Sequence, residues 1–198
     1  AMNTVEAIRK EDPDFKVIYG MEAYFVNDLV PAVEGENAQP LTQDFICFDL
    51  ETTGLSAQHD RITEIGAVRI HNGEITDRFD TFVDPERPIP EKITQLTSVT
   101  DEMVKGAPKE AEALEQFFAF CGEDAVLVAH NASFDAGFVR AALKRQGKPF
   151  ENTYIDTVTM ARSLLPDLKK ATLDSVANYL KLKPFHHHRA EDDAAVVG

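Results

Sequence analysis

The order of apolar segments predicts an α/β fold with a mixed five-stranded sheet, in which a three-stranded antiparallel meander plus parallel strands is flanked by helices. Two observations carry this. Residues 45–50, 62–71 and 74–83 have strand length and apolar alternation, and the last two are joined by Asn72-Gly73, the strongest two-residue hairpin signal. Beyond Pro108 the apolar spacing turns helical, interrupted by short apolar stretches at 125–129 and before Asp156. With 43% hydrophobic residues, the 198-residue chain can fill one core and carry an appendage.

Taken in order, residues 15–19 and 22–26 read as two short extended segments parted by Gly20. The polar stretch Pro31 to Gln43 reads as a linker, which places a boundary near position 41. The first strand of the sheet is Phe45 to Leu50, followed by the hairpin strands Ile62 to His71 and Glu74 to Val83. After a loop at Pro85 to Pro90, short helices are expected over Glu91 to Leu96 and Asp101 to Lys105, the second with Thr100 as N-cap. Pro108 opens a longer helix in which Leu114, Phe117, Phe118 and Cys121 share a sheet-facing stripe. Ala125 to Ala129 is a fully apolar strand, after which Phe134, Phe138, Ala141 and Ala142 keep helical spacing to Gly147. A last short strand ends at Ile155, and helices follow over Val158 to Leu165, Leu173 to Tyr179 and from Ala190 onward.

Composition excludes several classes of function. No apolar run approaches the roughly eighteen residues of a membrane span, and no signal pattern opens the chain, so a cytoplasmic protein without a membrane partner is expected. Cys47 and Cys121 form no disulfide framework and are expected as reduced thiols. The formal net charge of −14 argues against gripping nucleic acid by a general basic surface. A polyanionic substrate would need metal ions and a local basic rim, for which Arg140, Lys144, Arg145, Lys169, Lys170, Lys181 and Lys183 are the candidates.

Asp49 and Glu51 are separated by one residue at the end of an apolar strand, so their side chains project from the same face. Two adjacent carboxylates raise each other's pKa unless a cation or proton intervenes, and no Lys or Arg lies in the segment. Hard oxygen ligands suit Mg²⁺ or Mn²⁺ better than zinc. Taken alone, the pair reads equally as an acidic strand-to-turn junction in solvent. Asp135 lies early in a helix that follows a parallel strand, where α/β sheets place their sites, although a first-turn acid also simply favours the helix dipole. His188 and Asp193, five positions apart at the start of the last helix, can face one cleft.

In combination, Asp49-x-Glu51 within F-D-L-E-T-T-G, Asp135 within H-N-A-S-F-D, and His188-x4-Asp193 resemble the DEDDh subgroup of 3′→5′ exonucleases, members of the RNase H-like superfamily. The resemblance covers residues 44–197. The sister subgroup carries Tyr-x3-Asp instead, and Tyr179 has Lys183 at that offset. Within the family the sequence looks closest to proofreading exonucleases of PolC-type polymerase III. Residues 17–24 resemble the segment of the polymerase-and-histidinol-phosphatase (PHP) domain that precedes the exonuclease there. The resemblance thus implies a PHP-like fragment and linker over residues 1–40 and an exonuclease domain over 41–198.

It also implies an RNase H-like sheet and hydrolysis of DNA 3′ ends with two divalent ions, Mg²⁺ or Mn²⁺. Asp49, Glu51, Asp135 and Asp193 would be the metal ligands, and His188 the general base. Thr52, Thr53, Leu55 and Asn131 would line the terminal-nucleotide pocket, Asp156 would be structural, and the polymerase core of the same parent chain and the replisome would be partners. An RNA-trimming exonuclease is the near alternative, because the chemistry at the phosphate is the same. A catalytically silent interaction module is the remote one, since all five catalytic positions are filled.

Overall fold

The computed structural model describes residues 31–40, 42–182 and 189–198. The expected front segments 15–19 and 22–26, and His188, lie outside these described residues. Residues 31–198 form one compact unit built on a mixed sheet of six strands.

The strands are β1 (Val33–Glu34), β2 (Phe45–Thr52), β3 (Ile62–His71), β4 (Glu74–Phe82), β5 (Val126–Ala129) and β6 (Tyr154–Asp156), in the order β1-β6-β5-β2-β3-β4. The meander β2-β3-β4 is antiparallel, whereas β5 runs parallel to β2, and β6 parallel to β5. At the hairpin, Asn72 and Gly73 adopt φ of 51° and 79°, the left-handed conformation that the two-residue turn requires.

The sixth strand departs from expectation. The stretch read as a linker lays Val33 and Glu34 antiparallel against Ile155 and Tyr154. Beside it the Asn37 N–H donates to Thr153 Oγ1 at 2.9 Å, and Gly35, at φ +118°, lies so close to Thr153 that a Cβ would collide with it. Two paired residues carry no periodicity, so this edge is formed by backbone contact with β6, without a pattern of its own.

The helices among the described residues are α1 (Glu91–Thr97), α2 (Asp101–Val104), α3 (Glu110–Cys121), α4 (Ala132–Arg145), α5 (Thr157–Leu164), α6 (Leu173–Tyr179) and α7 (Ala190–Val197). Thr100 caps α2 by accepting from the Met103 N–H, as the sequence indicates. On one face of the sheet, Ile46, Phe48, Leu50, Ile65 and Ala67 pack with Leu114, Phe117 and Cys121 of α3 and Phe138, Val139 and Ala142 of α4. The rings of Phe48 and Phe117 lie 5.6 Å apart at the centre of this cluster. On the opposite face, Cys47, Val68, Ile70 and Val128 meet Ala195 and Val197 of α7. Both cysteines are buried free thiols.

Candidate active site

Strand alternation divides β2 between these two faces. Ile46, Phe48 and Leu50 enter the α3–α4 core, which sends Cys47, Asp49 and Glu51 to the α7 side. The last turn of regular pairing comes at Glu51, where a bulge shifts the register before Thr52. From above, the first turn of α7 brings Asp193 down to the pair. One carboxylate oxygen each from Asp49, Glu51 and Asp193 lies within 4.8 Å of the others.

Burial and crowding act in the same direction here. Glu51 is pushed up to about 8 by burial and by the charges of Glu64 and Asp193, against which Arg189 works. Asp49 is raised well above the usual carboxylate range by burial, then by Asp135, Glu51, Asp193 and Glu64. Such a cluster has two ways to relieve itself: keep protons, or accept a divalent cation. Three convergent hard oxygens of this kind fit the latter, and they could hold Mg²⁺ or Mn²⁺.

Asp135 stands apart from that three-oxygen group. It is buried in the first turn of α4, and its Oδ1 accepts the Leu50 N–H at 3.1 Å. Burial raises its pKa even though the N–H groups of Asp135 and Leu50 favour the charged form. Asp156 sets the start of α4. Its carboxylate accepts the N–H groups of Asn131 and Ala132, and also caps α5 through the N–H groups of Val158 and Thr159. Burial pushes Asp156 up, but these hydrogen bonds and that of the Thr159 hydroxyl outweigh it and lower its pKa. Its place in the structure matches the structural role read for it from sequence.

The residues expected around a terminal nucleotide fall into two kinds. Thr52 and Thr53 are buried, and their hydroxyls are engaged inside the turn: Thr52 Oγ1 donates to Gly54 O at 2.6 Å, and Thr53 Oγ1 accepts the Arg61 N–H at 3.1 Å. Asp60 closes this loop by accepting the Ser56 N–H at 2.8 Å. Leu55, 85% exposed, is held out at its tip. Asn131 is exposed and left-handed, at φ 69°, just before α4.

Glu64 was missed by reasoning from sequence. It is fully buried, pairs across the sheet with Glu51, and accepts from Arg189 through both Nε and Nη2, at 3.1 and 2.8 Å. The available signal was a carboxylate set among the apolar residues of a strand, at the parity of Val68 and Ile70.

A family model described as Exonuclease, RNase_T, matches residues 46–197. "DNA polymerase III PolC-type" of Caldanaerobacter subterraneus subsp. tengcongensis is 50% identical over 179 residues, which is 90% of this chain and 13% of that protein. The protein of the same name from Clostridium perfringens is 49% identical over 181 residues, 91% of this chain and 12% of its own length. The chain therefore spans only about an eighth of these relatives. Among solved structures, Exonuclease X in complex with 5′ overhanging duplex DNA superimposes with a TM-score of 0.64 at 29% identity, covering 77% of this chain and 85% of the other. Escherichia coli Exonuclease I in complex with a dT13 oligonucleotide reaches a TM-score of 0.68 at 15% identity, over 78% of this chain and 39% of the other, and shares the fold.

Proposed function

This chain belongs to the exonuclease family, and from that membership we propose that it hydrolyses phosphodiester bonds at DNA 3′ ends, releasing nucleoside 5′-monophosphates, as the proofreading domain of a PolC-type DNA polymerase III. The observation that carries this reading is the convergence of Asp49, Glu51 and Asp193 on one point at the C-terminal end of β2. In this scheme Asp49, Glu51 and Asp193 would hold one divalent ion, Mg²⁺ or Mn²⁺, and Asp135 would help to hold a second. Ions bound there would activate the attacking water and stabilise the leaving 3′ oxygen. The remaining work falls to the chain itself. Leu55, presented by the Asp60-closed loop, and Asn131 face the terminal nucleotide, while Thr52 and Thr53 shape the loop that carries Leu55. His188 takes a proton from the nucleophile, so it must be neutral in the resting enzyme. The polymerase core of the same parent chain and the replisome deliver frayed single-stranded ends in the cytoplasm, which suits a domain with a net charge of −14.

The test uses matched DNA and RNA oligonucleotides carrying a 5′ label, with Mg²⁺, Mn²⁺ or EDTA. The expected result is a ladder of metal-dependent 3′ shortening on DNA that EDTA abolishes. Equal or faster trimming of RNA would move the substrate class to RNA, and no shortening with either metal would overturn the reading.

A further inference from the structure

Glu64 contributes nothing to the three-carboxylate cluster, yet it is 0% exposed, and burying a charge in a sheet is costly. The guanidinium of Arg189 donates twice to Glu64 Oε1 and also lies 3.7 Å from a carboxylate oxygen of Asp80. A buried ion pair is by itself a poor stabiliser, since a packed apolar residue of similar volume commonly does as well or better. Its value is better sought in geometry.

Arg189 is the N-cap residue of α7, and its carbonyl accepts the Asp193 N–H at 3.0 Å, so it lies one helical turn before Asp193. Fixing the guanidinium on Glu64 therefore fixes where that turn begins. Beneath it the helix backbone rests directly on Gly66, where a Cβ would sit 2.1 Å from Ala190 C and Glu191 N. Gly66 is the partner of Asp49 in the β2–β3 register, and Glu64 is the partner of Glu51. The two residues of β3 that seat α7 are thus those opposite the two acids of β2. Phe82, the β4 partner of Glu64, lies under the guanidinium with its ring centroid 5.6 Å from Arg189 Cζ. Among the apolar contacts of α7 on this face, Ala195 and Val197 lie beyond Asp193, and in the first turn the buried apolar side chain is the single methyl of Ala190.

We infer that Glu64 and Arg189 are positioning residues, a buried strut that seats the first turn of α7 on β3 so that Asp193 meets Asp49 and Glu51 around one metal ion. This inference rests on the metal-dependent reading of the site, and goes beyond it in naming the residues that set metal affinity without touching the ion. Residues that orient metal ligands from outside the coordination sphere are commonly worth 10- to 100-fold in metal affinity or activity.

The experiment titrates Mn²⁺ alone into the protein by calorimetry, and separately measures hydrolysis of a 3′ end against Mn²⁺ concentration and melting in EDTA. Glu64→Gln and Arg189→Lys are compared with wild type and with Arg78→Ala, which removes the exposed pair Arg78–Glu191 on the outer side of the helix. The expected result is a Kd for Mn²⁺, and a half-saturating Mn²⁺ concentration, about tenfold higher in Glu64→Gln and Arg189→Lys. Activity should recover at saturating Mn²⁺, and Arg78→Ala should behave as wild type. Arg189→Lys keeps the charge but loses the fork, so it separates positioning from simple charge balance. If both variants bind Mn²⁺ as wild type does, whether or not they melt earlier, the strut is merely structural and the inference fails while the proposed function stands. If wild type itself neither binds Mn²⁺ nor hydrolyses DNA, both fall together.

Discussion

The two faces of the β2–β3 sheet are built from alternate residues of the same strands, and they solve opposite problems. Toward α3 and α4, Ile46, Phe48, Leu50, Ile65 and Ala67 close an apolar core with Phe117 and Phe138. Toward α7, the same strands are apolar at one end, with Cys47 opposite Val68, and at the other set Asp49 opposite Gly66 and Glu51 opposite Glu64. The first face draws its stability from area removed from water. The second places carboxylates where burial raises their pKa, so in the absence of a cation it opposes folding. The chain thus separates what holds the domain together from what works, with only one residue of offset between them.

That separation is open to direct attack. The largest effect is expected from Asp49→Ala or Asp193→Ala, which should lower hydrolysis of DNA 3′ ends by at least about a hundredfold, on the scale of losing a whole catalytic element. Circular dichroism should show the fold intact, and melting in EDTA should be unchanged or higher, because like charges have been removed from a buried cluster. More than about a tenth of wild-type activity in either variant would break the assignment. His188→Gln should follow, with turnover down by about two orders of magnitude and Mn²⁺ binding nearly intact, as befits a base that is not a ligand. Near-normal turnover with an unchanged acidic limb in the pH profile would remove His188 from the chemistry.

On the other face the order of effects is reversed. Phe117→Ala should cost about 3–5 kcal/mol of stability, read by urea unfolding, while the protein that remains folded keeps its metal affinity. Loss of metal affinity in the folded fraction would show that the two faces are coupled after all. Gly66→Ala sharpens the same contrast from the working face. Its Cβ must displace the backbone of α7, so metal affinity and activity should fall more steeply than the melting temperature.

The smallest effect is a pH dependence of melting. Asp49, Asp135 and Glu51 have folded pKa values above their unfolded ones, with Glu51 near 8, so the folded chain keeps protons that the unfolded chain has released. Stability in EDTA should therefore fall as pH rises from the unfolded carboxylate range, about 4, on toward 8. Saturating Mn²⁺ should flatten or invert that slope, because it favours the ionised cluster. Scanning calorimetry at several pH values, with and without the metal, decides it. A slope of the opposite sign in EDTA would mean that the acids are ionised and compensated by some other group.

Much of this molecule follows from local signals. The meander, the Asn72-Gly73 turn, the Thr100 cap and the amphipathic stripe of α3 each rest on residues a few positions apart, and the structure places them within a residue or two of expectation. The positions of Asp49, Glu51 and Asp193 are equally local, because period two on a strand and the first turn of a helix decide where those side chains point. Tertiary structure decided what lies far apart in the chain. It folded the supposed linker into β1 against β6, set Asp135 on the Leu50 N–H, and drew Arg189 back across 125 positions to Glu64. None of these has a periodic signature, since each exists only once the sheet has formed. A carboxylate in the middle of β3 reads in sequence as an interruption; only with α7 seated above it does it acquire a partner and a purpose.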